Sequence, residues 1–338
     1  MAGGTRARQG ASRGSSARAG ASHGGASHGG ASRGGRSLGR HLAVPLAMVL
    51  VFGGIAGGSY VALQRYGSPA HEGTCVAAGL GTTHRYTTDR VANAALISAV
   101  AVDRELPPRA ASIALATAYQ ESQLRTIDYG DRDSLGLFQQ RPSQGWGTAA
   151  EIMDPIHATN AFYDALVAID GYESADINDV AQQVQRSGHP EAYRDHETEG
   201  RLYASALTGQ SGANLVCTLE AVGSTASPEE VRAELERQFP RALESGRITA
   251  SLDSAAGVAP QVPNGAGATA LVIDPGGDRT LGWALANWAV ARAAEDGVVQ
   301  VSYQGRVWDR ALRGDEADLW GTVEAGDPER VVVLVSGR

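Results

Sequence analysis

The residue best suited to chemistry is Glu121, which follows an alanine-rich stretch at residues 114–120. If a helix carries this stretch, its last turn delivers a carboxyl group beside apolar side chains. Burial there raises the pKa of a carboxyl group and keeps it protonated near neutral pH. A protonated carboxyl group can donate a proton to the leaving oxygen of a glycosidic bond as that bond breaks. The alternative is a solvated glutamate at a helix end, and spacing alone does not separate the two.

Two motifs around Glu121 resemble those of a known superfamily. Residues 120–125 read Gln-Glu-Ser-Gln-Leu-Arg, and residues 130–140 read Gly-Asp-Arg-Asp-Ser-Leu-Gly-Leu-Phe-Gln-Gln. They are similar to the first two motifs of the soluble lytic transglycosylase and goose-type lysozyme superfamily. In particular, the two stretches resemble lysozyme-like domains of actinobacterial surface and conjugation-associated proteins. The resemblance covers about residues 89–209, which is under half of the chain.

This resemblance implies that Glu121 is a general acid that cleaves the MurNAc-GlcNAc bond of peptidoglycan. We expect no cofactor and no metal ion. The resemblance also implies a sugar cleft lined by Gln139 and the backbone near Gly136. Transglycosylases carry a third motif, a tyrosine followed by asparagine, alanine and glycine; residues 184–193 depart from it and offer Tyr193 in the tyrosine's place. The candidate substrate-binding residues are Ser122, Gly136, Gln139, Gln140 and Tyr193.

A second carboxylate would decide the outcome of the reaction. Inverting hydrolysis needs a base about 6.5–9.5 Å from the acid to activate water. Asp131 and Asp133 are the candidates, although aspartate is also common in glycine-containing turns for conformational reasons. Without such a base, the 6-hydroxyl of the sugar attacks and leaves an anhydro end. We favour this transglycosylase-like route, and hydrolysis stays open.

The elements expected to position Glu121 are helices. Capping and proline signals place helix starts at Asp89, Pro108, Pro155, Asp176 and Pro190. Because no alternating strand pattern is evident there, we predict an all-α lysozyme-like domain over residues 75–217. A linker with a short helix follows at residues 218–268. Residues 269–338 read as a small α/β module whose role the sequence does not reveal.

The N-terminal part of the chain predicts a membrane anchor. Residues 1–41 form a low-complexity tail of Arg, Gly, Ser and Ala, which we expect to be disordered. Residues 42–63 are uncharged and long enough, as a helix, to cross the hydrocarbon core of about 30 Å. Overlapping G-x-x-x-G spacings in this segment would allow self-association of the helices. The alternative is a cleaved signal peptide with its cleavage site at residues 68–70.

Charge is divided unevenly between the two sides of this segment. Residues 1–65 hold eight arginines and no acidic residue, which predicts a cytoplasmic N-terminus and extracellular C-terminal domains. The remainder has 21 arginines against 37 acidic residues, a net charge of −16. Nucleic acid is therefore excluded as an expected partner, because binding it requires clustered cations.

The two cysteines, Cys75 and Cys217, bracket the predicted lysozyme-like domain. An exported domain favours a disulfide between them, since the space outside the cytoplasm is oxidising. Two unrelated buried thiols are the alternative. The sequence as a whole thus indicates a single-pass membrane enzyme that cleaves peptidoglycan. A non-catalytic scaffold or binding protein of the cell envelope that keeps the lysozyme-like fold is the other class of function.

The predicted topology can be tested with protease added to spheroplasts. We expect digestion of the part after Arg65 and survival of a small membrane-embedded fragment that carries the N-terminal tail, because the arginine-rich side stays inside. The control is the same digestion after the membrane is lysed. A chain that is protected until lysis would contradict the topology.

Overall fold

The computed structural model describes most of the chain after residue 72. The described residues are 73–79, 81–186, 191–220, 226–255, 269–311, 320–323 and 327–336. The predicted disordered tail, residues 1–41, and the predicted transmembrane helix, residues 42–63, lie outside them. Within the described ranges, every helix is too short or too polar to cross a membrane. All described residues belong to one compact unit that runs from Pro69 to Arg338.

The prediction of an all-α domain is wrong, because this region also contains a three-stranded antiparallel sheet. Its strands are β1 (Gly73–Gly79), β2 (Thr82–Thr87) and β3 (Leu215–Leu219), in the order β2-β1-β3. The middle of β1 and nearly all of β3 are buried without alternation between polar and apolar residues. Short strands buried in this way lack the period of two that identifies a strand in sequence.

Helices fill the rest of this region, and three of the five predicted starts are found; Asp89 instead lies in the first turn of its helix, and the described helix after residue 190 begins at Glu197. Pro108 and Pro155 each begin a helix, and Asp176 caps another by accepting hydrogen bonds from two backbone N–H groups. The helices are α1 (Thr88–Asp103), α2 (Pro108–Ser122), α3 (Ala149–Met153), α4 (Pro155–Val167), α5 (Ile177–Gln185) and α6 (Glu197–Leu207).

Helix α2 lies at the centre of this group and contacts α1, α4, α5 and α6. Its middle is buried and rich in alanine, and this permits close approach of its neighbours. On α6, a Cβ atom at Gly200 would lie 3.0 Å from the carbonyl oxygen of Ser112 and 3.1 Å from the backbone nitrogen of Ala116. Glycine at this position therefore sets the spacing of the two helices.

The C-terminal part combines helices with a six-stranded antiparallel sheet. The sheet has the order β4-β5-β9-β6-β7-β8. The helices are α7 (Pro228–Gln238), α8 (Pro240–Glu244) and α9 (Arg279–Ala291). The strands are β4 (Thr249–Ser254), β5 (Thr269–Asp274), β6 (Val298–Tyr303), β7 (Arg306–Asp309), β8 (Gly321–Thr322) and β9 (Val331–Val335). Strands β5 to β9 and helix α9 lie within residues 269–338, the segment that the sequence identifies as an α/β module.

Buried polar side chains join the two parts of this unit. The indole N–H groups of Trp308 and Trp320 donate to the carbonyl oxygens of Cys217 and Leu215, at 3.0 and 2.9 Å. The amide of Asn287 on α9 donates to the carbonyl oxygens of Ala206 and Gly212, at 2.8 Å each. Strand β3 is therefore held from both sides, by β1 and by the C-terminal tryptophans.

The predicted disulfide is confirmed: Cys75 and Cys217 are bonded across the paired strands β1 and β3. They stand 142 residues apart in the sequence, so the bond closes a loop that contains the whole helical region. Neither cysteine is free.

Removing this bond should destabilise the fold. Replacing both cysteines by serine should lower the free energy of unfolding by about 5 kcal/mol in the chain-entropy model, because the unfolded chain regains the freedom of a long loop. Denaturant unfolding of the variant and of the oxidised and reduced wild type measures the effect. Identical midpoints for the oxidised and reduced wild type would contradict this expectation.

Candidate active site

Glu121 lies in the last turn of α2 and is partly buried. Burial raises the pKa of its carboxyl group above the ordinary value of a glutamate, while hydrogen bonds from the side chains of Tyr193 and Gln185 act in the opposite direction. Burial is the larger effect, so the protonated form is favoured relative to an exposed glutamate. The site can therefore hold a proton on a carboxyl group.

The chain leaves α2 through an unusual turn directly after Glu121. Gln123 and Leu124 both have positive φ angles, 56° and 60°, which non-glycine residues seldom adopt. Two contacts of Ser122 hold this turn. Its buried hydroxyl lies 2.7 Å from the carbonyl oxygen of Leu137, and it accepts a hydrogen bond from the backbone N–H of Arg125 at 3.2 Å. Ser122 thus ties the helix end to the following loop.

The loop motif is folded tightly against the helices by its glycine and aromatic residues. Gly136 has a φ of 74°, and a Cβ atom there would lie 2.5 Å from the carbonyl oxygen of Ile152, so only glycine fits. Phe138 is fully buried and stacks on Phe162 of α4 with ring centroids 4.5 Å apart. The loop therefore has one defined position beside Glu121.

The two glutamines of the loop motif have different surroundings. The side chain of Gln139 lies over Gly130, and its Nε2 atom is 3.3 Å from the carbonyl oxygens of Tyr129 and Gly136. Gln140 is 1% exposed and donates to the carbonyl oxygen of Ala158 on α4 at 3.1 Å. Of these two glutamines, Gln139 is therefore the one that a ligand can reach, and Gln140 connects the loop to α4.

Tyr193 comes from a distant part of the chain and lies against Glu121. Its hydroxyl group donates to Oε1 of Glu121 at 2.6 Å across a sequence separation of 72 residues. The ring is buried, and the backbone N–H donates to the Asn178 side chain at 3.2 Å. The structure thus brings the predicted third-motif tyrosine to the predicted acid.

Gln185, at the end of α5, is a site residue that the sequence analysis missed. Its side chain bonds to Glu121, and it donates to the carbonyl oxygen of Phe138 at 2.7 Å. It therefore links the acid to the loop motif. The sequence offers no signal for it, because α5 contains two other glutamines and only the fold shows which one reaches Glu121.

The two candidate bases occupy different environments. Asp133 accepts hydrogen bonds from the backbone N–H of Ser143 at 2.8 Å and from the Arg141 guanidinium at 2.7 Å. Hydrogen bonds from the Ser143 side chain, the Ser143 backbone and Arg141, in that order of size, hold the pKa of Asp133 well below its usual range. The side chain of Asp131 is 89% exposed and lies 3.8 Å from the guanidinium of Arg132. Asp133 is thus bound into the loop, and Asp131 points into solvent.

A chain of polar contacts runs beside Glu121, and no motif in the sequence predicts it. His196 places its two ring nitrogens 2.8 Å from Oε1 of Gln120 and 2.9 Å from Oε1 of Glu199. Glu199 lies 3.6 Å from His84 on β2. These contacts fasten the segment that carries Tyr193 to the end of α2.

In the described part of the chain, no cluster of three or more His, Cys, Asp or Glu side chains is arranged to hold a metal ion.

In comparisons with known proteins, no family model and no curated sequence matches this chain. The superfamily resemblance therefore rests on the sequence motifs alone.

Removing the Tyr193 hydroxyl should change the titration of the acid. In Tyr193→Phe we expect the pKa of Glu121 to rise further, because the hydrogen bond that lowers it is lost. The alkaline limb of the activity profile against pH should then move to higher pH. The maximum rate should fall about tenfold to a hundredfold, as expected for a lost hydrogen bond to a charged group.

Tyr163→Phe is the matched control, because that buried hydroxyl also donates to a protein oxygen, the carbonyl of Ile97, at 3.0 Å. It should leave the position of the alkaline limb unchanged. The role given to Tyr193 is contradicted if the limb stays in place in Tyr193→Phe, or moves equally in both variants.

Proposed function

We propose that this protein cleaves the MurNAc-GlcNAc glycosidic bond of peptidoglycan with Glu121 as the general acid. The observation that carries the proposal is the 2.6 Å hydrogen bond between the Tyr193 hydroxyl and Glu121. This bond connects Glu121, the candidate acid of the first motif, with Tyr193, the candidate for the tyrosine of the third motif. The two residues come from positions 72 residues apart and meet only in the folded chain.

The electrostatics of Glu121 support this role. A general acid must carry its proton until the leaving oxygen takes it, and burial raises the pKa of Glu121 in the required direction. The hydrogen bonds from Tyr193 and Gln185 stabilise the carboxylate that remains after proton donation. The same carboxylate can then accept a proton in a later step.

The environments of the two aspartates favour the transglycosylase-like route. A carboxylate with a strongly lowered pKa is a weak base, and Asp133 is already occupied by Arg141 and Ser143. Asp131 faces solvent without a partner that would orient it toward the acid among the described residues. We propose that Glu121, after donating its proton, removes the proton from the sugar 6-hydroxyl. That oxygen attacks the anomeric carbon, and the product carries a 1,6-anhydro end.

Sugar would be held beside Glu121 by the loop motif. The Gln139 side chain and the backbone around Gly136 lie on the same loop that Ser122 and Gln185 fasten to the acid. A fixed loop is what orientation of a substrate requires, since a displacement of about 1 Å can cost about a hundredfold in rate. The proposed substrate lies outside the cytoplasm, where the predicted topology puts this part of the chain.

Glu121→Gln should abolish cleavage while keeping the fold. The substitution preserves size and a carbonyl oxygen for Tyr193 but removes the proton, and loss of a general acid costs about a hundredfold to ten-thousandfold in rate. The measurement is release of soluble fragments from purified sacculi, with mass spectrometry of the product ends. Anhydro ends are expected from the wild type, and reducing ends would indicate hydrolysis instead.

Glu236→Gln is the matched control, because Glu236 is an exposed glutamate on α7. It should cleave sacculi like the wild type. Thermal unfolding at pH 8 should show Glu121→Gln at least as stable as the wild type. A group whose pKa is raised on folding loses stability as pH rises, and glutamine does not ionise. Equal activity of wild type and Glu121→Gln would contradict the proposal that Glu121 is the general acid. A wild-type protein that is folded but inactive would favour the alternative, a non-catalytic scaffold or binding protein of the cell envelope.

A further inference from the structure

A cavity of about 460 Å³ opens at the other end of α2 from Glu121. Since α2 has 15 residues that each rise 1.5 Å, the two sites are roughly 20 Å apart. The cavity is lined by the first turns of α2, by helix α6, by the last residue of β1 and by the residues that precede β3. The polar side chains that line it include Arg109, Ser112, Arg201, Ser205, Ser211 and Asn214.

The cavity is cationic although the part of the chain that contains it is strongly acidic. Arg109 and Arg201 both line it. The first turn of α2 has no acidic residue, and within the described chain no side chain caps it. The partial positive charge of a helix N-terminus therefore adds to the two guanidinium groups. Arg201 pairs with Glu197 on the same helix at 3.1 Å.

Two hydrogen-bond donors in the cavity lining are buried without a partner in the part of the chain that the structure describes. They are Nε of Arg109 and the hydroxyl of Ser211. Another N–H group of Arg109 donates a hydrogen bond to the carbonyl oxygen of Ala175, and this bond fixes the direction of the guanidinium plane. Buried donors are normally satisfied, so two unsatisfied donors beside one cavity point to an acceptor that binds there.

We propose that this cavity binds a small carboxylate ligand, such as the free carboxyl end of a short peptide. A guanidinium group matches the two oxygens of a carboxylate, and its N–H groups here are oriented before binding. One charge suits the site better than two, because Glu197 offsets part of the charge of Arg201. Ser205 and Asn214 line the same cavity, and their hydroxyl and amide groups would form hydrogen bonds with the amide groups of such a ligand. The volume also falls in the ordinary range of ligand sites.

The proposal is independent of the function proposed for Glu121. It is tested by calorimetric titration of the full chain with N-acetyl-alanyl-alanine and with the same dipeptide amidated at its C-terminus. We expect binding of the free acid and at least tenfold weaker binding of the amide. Arg201→Gln should weaken binding of the free acid about tenfold, the loss expected for one charged hydrogen bond. Glu121→Gln should bind it like the wild type.

Arg232→Gln is the matched control, because Arg232 is also exposed and also pairs with a glutamate four residues away. It should leave binding unchanged, and Ser211→Ala should weaken it without the loss of a charge. Equal affinity for acid and amide, or no binding of either, would overturn the proposal. Tighter binding of inorganic phosphate than of the dipeptide acid would overturn the assignment to a carboxylate.

Discussion

The close packing of α2 is the constraint on which the rest of this structure depends. The helix passes through the middle of the other helices, and most of its length is buried among them. Where α2 meets α6, the contact is close because Gly200 has no side chain and lies against the backbone of Ser112 and Ala116. Because the helix is buried, the carboxyl group near its C-terminal end is drawn partly out of water. The raised pKa of Glu121 is therefore a consequence of how the core is packed.

The two ends of α2 have opposite electrostatic properties. A helix C-terminus carries partial negative charge and disfavours a second negative charge, which acts in the same direction as the burial that raises the pKa of Glu121. The N-terminal end carries partial positive charge and meets Arg109 and Arg201 in the cavity. One buried helix thus separates a site suited to donating a proton from a site suited to holding an anion.

The sheet and the disulfide give this helix a rigid surrounding. Strand β1 pairs with β3, the cysteines bond across that pair, and the indoles of Trp308 and Trp320 donate to the backbone of β3. Covalent, backbone and side-chain links therefore converge on one five-residue strand. This explains the buried tryptophans of the C-terminal part as packing residues that connect it to the helical region.

The sequence by itself predicted the features that depend on local pattern. Pro108, Pro155 and Asp176 marked helix starts, because capping and proline effects act within a few residues. The sequence also nominated Cys75 with Cys217 and the motif residues around Glu121. Only the tertiary structure decided the three-stranded sheet, the contacts of Gln185 and Tyr193 with Glu121, and the paired arginines of the cavity. These features join residues that are far apart in the chain, and no local periodicity records which distant surfaces will pack together.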